Sequence, residues 1–167
     1  AHWVKVIEAV KRVNPETTME VLIPDFQGRR ELVQQVIEAR PEVISHNLET
    51  VRELSDGVRS RAKYDTSLQV IRQVSESGIV SKSGIMLGLG ETREQILRTM
   101  DDLLAVGCKV MTIGQYLQPS EANLEVKEYV TPETFQEYER IGLEKGFRYV
   151  ESGPLVRSSY HAEKHVR

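Results

Sequence analysis

The stretch Ser81-Lys82-Ser83-Gly84-Ile85-Met86-Leu87-Gly88-Leu89-Gly90-Glu91 decides how the rest of the chain is read. Its apolar core, Ile85-Met86-Leu87, runs into Gly88-Leu89-Gly90, and Glu91-Thr92-Arg93-Glu94 then opens an amphipathic run. That order predicts a buried strand, a glycine turn and a helix start. Glycine at 88 and 90 would let backbone amides come close to a ligand, because no Cβ intervenes. In a parallel α/β sheet such a turn lies at the carboxyl ends of the strands, where ligands bind. Taken alone, Gly-x-Gly is better read as a tight loop that needs positive φ, since the pattern is common. The third glycine of a dinucleotide fingerprint is missing, and no Gly-Lys-Ser/Thr follows, so neither that fingerprint nor a P-loop applies.

Working outward, helix and strand patterns alternate. Trp3, Val6, Ile7, Val10 and Val13 recur at helical spacing until Asn14-Pro15. Met19 to Ile23 reads as a strand, and Leu32, Val33, Val36 and Ile37 form the next helix face, closed by Arg40-Pro41. Val43-Ile44 is a brief strand. Leu68, Val70, Ile71 and Val74 line a helix that stops at Gly78. After the glycine turn, Ile96, Leu97, Met100, Leu103 and Leu104 face inward from a helix over 94–106, and Val110 to Ile113 is a strand. Thr131-Pro132 is a helix start with a threonine cap, and that helix runs to Gly146. Phe147 to Val150 predicts a last short strand, followed by a tail over 151–167.

Strands joined by helices in this way mean parallel βαβ units, in one domain over residues 1–167. About four units suit part of a (β/α) barrel better than a whole doubly wound sheet, and they fall short of the usual ~8. The start at Ala1-His2-Trp3 reads as the inside of an element, with the N-terminal units of a TIM-type barrel absent and the tail closing on its mouth.

The bulk properties exclude several classes. The 167 residues carry 22 basic and 25 acidic side chains, a net charge of −3 and a pI near 5.9, with no basic run that would serve nucleic acid. No apolar stretch approaches the ~18 residues of a membrane span. Cys108, the one cysteine, cannot form an internal disulfide or hold a metal alone, and it reads as a buried structural thiol in a reducing compartment.

Polar residues collect just after the expected strands: Asp25 and Gln27, then His46, Asn47, Glu49 and Thr50, then Glu91, then Gln115, Tyr116 and Gln118. Barrel active sites are built from such positions. Any one of them is satisfied as a cap or loop residue, but their recurrence in successive units predicts a polar mouth. Asn47 and Glu49, two apart in an extended segment, would point the same way and suit a ribose diol or an amino group. His46 with Glu49 lacks the further ligands a metal pair would need.

Five of these segments, in order, resemble the lipoyl synthase family of radical S-adenosylmethionine enzymes. They are Ile23-Pro24-Asp25-Phe26-Gln27-Gly28, Ser45-His46-Asn47-Leu48-Glu49-Thr50, Lys82 to Glu91, Thr112 to Pro119, and Gly153-Pro154-Leu155-Val156-Arg157-Ser158-Ser159-Tyr160-His161-Ala162. The resemblance implies a partial (β/α) barrel that inserts two sulfur atoms, at C6 and C8, into an octanoyl chain on a lipoyl carrier domain. It implies S-adenosylmethionine and two 4Fe–4S clusters. One cluster cleaves S-adenosylmethionine and the other gives up its sulfur. Asn47, Glu49, Lys82, Ser83, Gly88, Glu91 and Gln115 would fall at the cofactor pocket, with Met86 where the family's Gly-x-Ile-x-Gly-x-x-Glu strand has isoleucine. Ser158, or alternatively Ser159, would place an oxygen on the sulfur-giving cluster, and the cationic Arg157 would favour the serine anion. The implied partners are the octanoylated carrier domains of 2-oxoacid dehydrogenase E2 subunits and the glycine cleavage H protein, with an electron donor such as flavodoxin or ferredoxin. The implied compartment is a bacterial cytosol or the mitochondrial matrix.

The chain departs from the family in lacking both cysteine triplets that hold the clusters through thiolates. Two other readings follow from the residues: a Schiff-base lyase or aldolase with Lys82 as the amine, and a non-catalytic module that binds a lipoyl carrier. With Cys108 as the single thiol, these 167 residues are expected to yield no 4Fe–4S chromophore after anaerobic reconstitution with iron and sulfide. A stable brown product with cluster absorption would contradict this.

Overall fold

Short runs rich in Val and Ile, each bounded by a turn or helix signal, form the strands. In the computed structural model, which describes residues 2–59 and 61–165, the elements follow as α1 (His2–Val13), β1 (Glu20–Leu22), α2 (Arg30–Glu38), β2 (Val43–Ser45), α3 (Ser55–Val58), α4 (Tyr64–Glu76), β3 (Val80–Leu87), α5 (Arg93–Ala105), β4 (Val110–Gln115), α6 (Pro132–Lys145) and β5 (Tyr149–Gly153). The strands make one parallel sheet in the order β1-β2-β3-β4-β5, with a helical crossover between each pair. Sequential order, without the reversal of a doubly wound sheet, is barrel order.

The helix ends obey local chemistry. The Gln95 amide donates to Thr92 Oγ1 at 3.3 Å, and the Thr92 amide donates to Gln95 Oε1 at 2.8 Å, a reciprocal cap for α5. Thr131 accepts from the Thr134 amide at 3.3 Å, with Pro132 as the first residue of α6. Gly146, at φ 118°, ends that helix. The same cap explains why β5 starts later than the sequence suggests. The Phe147 amide still bonds back to Gly142 O at 3.2 Å and its ring is buried, so the strand begins at Tyr149 and extends to Gly153.

Side chains alternate across the sheet. On one face Ile85, Leu87, Met111, Ile113 and Val150 pack with Ile96, Met100, Leu103, Phe135 and Tyr138 from α5 and α6. Ile23 and Ile44 pack with Val33, Val36, Val70 and Val74 from α2 and α4. The opposite face carries Glu20, Lys82, Gly84, Thr112 and Gly114. The tail crosses this second face. A Cβ on Gly114 would lie 2.4 Å from Val156 O, and the rings of Tyr149 and His165 are 5.8 Å apart.

Cys108 is buried where α5 gives way to β4, and its thiol donates to Val110 O at 3.3 Å. Burial pushes the thiol up to about 12. The native chain is therefore expected to resist an aromatic disulfide reagent at pH 8 and to react stoichiometrically in denaturant. Rapid labelling of native protein would place the thiol elsewhere.

Candidate functional site

A cleft of about 370 Å³ opens on the helix-free face at the strand tips. Asn47 and Glu49 line it from the segment after β2, Gly84 and Met86 from β3, Thr112, Gly114 and Gln115 from β4, and Arg157 and Ser158 from the tail. A second hollow of about 300 Å³ shares Asn47 and Glu49 and adds Asp25, His46 and Arg59. A slightly larger cleft of about 390 Å³ lies between α2 and α4 on the outside of the sheet, lined by Arg30, Thr66 and Gln73. It holds none of the strand-tip polar residues.

The Asn47–Glu49 turn is held from several sides. Ser83 Oγ accepts from the Leu48 amide at 3.3 Å. Glu49 donates its amide to Gly84 O at 3.0 Å and accepts from the Met86 amide at 2.8 Å, so the segment rejoins β3 after a short gap. Glu49 pays for this turn with a left-handed φ of 67°, uncommon outside glycine and asparagine. His46 supports it from below, with Nδ1 2.8 Å from Ile23 O and Nε2 2.9 Å from Ser67 Oγ. Arg59 donates to Leu48 O at 3.2 Å and to the same Ser67 Oγ at 2.9 Å.

Asn47 Oδ1 is buried with no hydrogen-bond partner among the described residues. Glu49 is half-buried, and desolvation raises its carboxyl above the ordinary value, offset in part by Asn47 and Arg59. Beside them the strand surface is bare: a Cβ on Gly84 would sit 2.3 Å from Thr112 Oγ1 and 3.3 Å from Asn47 Oδ1. An acceptor lacking a donor, a carboxylate and a strip without side chains accommodate a flat polar group bearing hydroxyls or an ammonium.

Not every expected residue lines this cleft. Asn47, Glu49, Gln115, Arg157 and Ser158 do, whereas Ser159 is exposed outside it. Gln115 is already engaged: its Nε2 donates to Tyr116 O and Glu128 O, and its Oε1 accepts from the Val130 amide, so it pins the following loop. The glycine turn is corrected more deeply. The Gly88 and Leu89 amides donate to the two oxygens of Glu91, at 2.6 and 3.0 Å, so these amides face no ligand. Gly88 is glycine because a Cβ there would meet Gln115 Nε2 and Glu128 O, both at 2.4 Å. Ser83 falls on the helix side of β3 and positions the Leu48 amide. Lys82 lies on the cleft side but two residues deeper, fully buried, with Nζ 2.9 Å from Glu20 and 3.3 Å from His165 Nδ1. That ion pair removes the free amine a Schiff base needs. His46 spends both ring nitrogens on the fold, which leaves none for a metal.

Thr112, Gly114 and Arg59 were not expected. Alternation along β4, counted back from Gln115, does not single them out, because their value lies in what approaches them from β3 and the tail.

Residues 2–103 match the Radical SAM superfamily. The chain belongs to this superfamily. Members carry S-adenosylmethionine and a 4Fe–4S cluster, and the strand-tip cleft has the acceptors and bare backbone that the first of these requires. The cluster fits less well. Among the described residues no three His, Cys, Asp or Glu side chains gather to hold a metal, and Cys108 is sealed in the core. The chain is 74% identical over 166 residues to lipoyl synthase of Treponema denticola and 65% identical over 167 residues to that of Bacteroides fragilis. It covers 99% and 100% of itself in these comparisons, but only 57% and 58% of the relatives' own lengths. Among solved structures, methylornithine synthase matches with a TM-score of 0.73 at 16% identity, over 89% of this chain and 44% of that one. Streptococcus suis SuiB matches with a TM-score of 0.68 at 10% identity, over 89% and 34%. Both bear on the superfamily fold alone. No helix among the described residues is long and apolar enough to cross a membrane.

The raised Glu49 carboxyl carries a pH signature. It binds its proton more tightly folded than unfolded, so its contribution to stability is full below the ordinary carboxyl value and is lost as pH rises through the folded value. Glu49→Gln is expected to raise the denaturant midpoint of the ligand-free chain at pH 8 relative to the parent, with the gain vanishing near pH 4. An equal shift at both pH values would show that burial of the charge is not the cause.

Proposed function

We propose that this chain carries the S-adenosylmethionine pocket and the Arg157–Ser158 tail of a lipoyl synthase. That enzyme inserts sulfur at C6 and C8 of an octanoyl group attached to a lipoyl carrier domain. The observation that supports it best is the unpartnered Asn47 Oδ1 beside Glu49, over the bare strip at Gly84. The Arg157–Ser158 pair on the same cleft adds to it.

In this reading Asn47 and Glu49 accept hydrogen bonds from the ribose hydroxyls or ammonium of S-adenosylmethionine. The adenosine lies along Gly84 and Met86. Desolvation at Glu49 strengthens these bonds, since water competes less in a buried site. When bound and given one electron from the reductant, S-adenosylmethionine would release methionine and supply a carbon radical able to take hydrogen from an unreactive C–H bond. Ser158, or alternatively Ser159, would offer its oxygen to the sulfur-giving cluster, and the Arg157 guanidinium beside it would favour the anion. The thiolates for the two 4Fe–4S clusters are not among these 167 residues, so no step through a cluster is assigned to them. The substrates are octanoylated E2 and H-protein domains, the reductant is a flavodoxin or ferredoxin, and the setting is a bacterial cytosol.

The test is a chimera in which these residues replace the matching segment of the Treponema denticola protein. It is expected to convert an octanoylated carrier domain to the lipoyl form, read by intact mass. Asn47→Ala combined with Glu49→Gln should weaken S-adenosylmethionine binding in equilibrium dialysis by roughly tenfold or more, the loss of one to two hydrogen bonds to a charged group. A chimera that binds the carrier but not S-adenosylmethionine would favour the carrier-binding reading instead.

A further inference from the structure

The tail beyond β5 makes only local backbone hydrogen bonds among the described residues. Val156 bonds to Gly153, Tyr160 to Arg157, Ala162 to Ser159, Lys164 to His161 and His165 to Ala162, each three residues back. Among the described residues, beyond that turn at Gly153 where β5 ends, no strand pairing and no backbone bond to the sheet holds it in place. Its docking on the open face therefore depends on side chains, and only Val156 and His165 are buried there, at 7% and 0% exposure. The exposed pair Lys164–Glu151, at 3.3 Å, adds little. Val156 and His165 bracket Arg157 and Ser158.

His165 ends in a polar floor. Its Nδ1 lies 3.3 Å from Lys82 Nζ and 3.8 Å from Glu20 Oε2, and Lys82 Nζ lies 2.9 Å from Glu20. With the ammonium donating, Nδ1 is the acceptor and Nε2 carries the hydrogen. Among the described residues Nε2 is buried without a partner, and Lys82 makes the one hydrogen bond that orients the ring.

We propose that His165 is a positioning residue: by accepting from the buried Lys82 of the Glu20–Lys82 pair, it anchors the tail and so holds Arg157 and Ser158 at the cleft. The importance of that placement rests on the function proposed above. The anchoring itself is measured without S-adenosylmethionine or cluster, so either idea can fail alone.

The experiment is hydrogen exchange, read by mass spectrometry on the ligand-free full chain. In His165→Ala, amides over 156–165 are expected to exchange roughly tenfold faster, the scale of one lost buried hydrogen bond, with β3 and β4 unchanged. His165→Asn, whose Oδ1 can stand in for Nδ1, should restore much of the protection. Replacing the pair together, Glu20→Gln with Lys82→Met, avoids leaving a lone buried charge. It should loosen the tail as His165→Ala does, and adding His165→Ala to it should bring no further acceleration. Unchanged tail exchange in His165→Ala would overturn the proposal. So would loosening spread equally through β3 and β4, or full additivity of the two changes.

Discussion

The missing side chains at Gly84 and Gly114 set the depth of the open face of the sheet. These glycines lie on neighbouring strands, with Thr112 paired to Gly84 and Gly114 paired to Met86. A methyl at 84 would collide with Thr112 Oγ1, and one at 114 would collide with the carbonyl of Val156. The first glycine leaves a bare strip beside Asn47. The second lets the tail backbone lie against β4. The cleft and its wall thus depend on the same local thinness, while the helix-covered face is filled to core density by Ile85, Ile113, Phe135 and their neighbours.

Against that rigid backing, local strain gathers in one place. The left-handed conformation of Glu49 is of the kind that costs about 1–3 kcal/mol and persists only where surrounding bonds over-determine it. Ser83, Gly84 O, the Met86 amide and the His46–Ser67–Arg59 chain supply that determination. The result is a carboxylate and an amide oxygen held toward the cleft, one with its ionisation opposed and the other with no donor. Elsewhere the strand tips satisfy themselves: Glu91 closes its own turn, and Gln115 spends its whole amide on the loop that follows it.

Much of this was legible in the residues. Periodicity located every strand, and Thr131 and Gly146 announced the two ends of α6 because capping is a local matter. The barrel order followed from alternation of the two patterns. Face and partner were harder. Lys82 and Ser83 are adjacent in the motif and project to opposite sides of the sheet, so a motif that names both cannot place both at one site. Gly88 looked available to a ligand because nothing in Gly-Leu-Gly-Glu says that the glutamate folds back onto its own amides. The partners of Lys82 lie 62 and 83 residues away, at Glu20 and His165, beyond the reach of any pattern read along the chain.

The two polar groupings on the open face have opposite character, and that contrast assigns their roles. At the mouth, Asn47 Oδ1 has no donor among the described residues, and the half-buried Glu49 carboxyl beside it has its ionisation opposed by desolvation. In the floor, the fully buried Lys82 is matched by Glu20, which keeps a small part of its surface in solvent. A buried ion pair contributes little net stability over apolar residues of equal volume, yet removing one member costs about 3–5 kcal/mol. Such a pair therefore serves registry better than strength. An apolar floor would accept the tail at any offset that buries Val156. A lysine already fixed by Glu20 accepts it only where an imidazole nitrogen meets the ammonium, and this places Ser158 at one height above the strands.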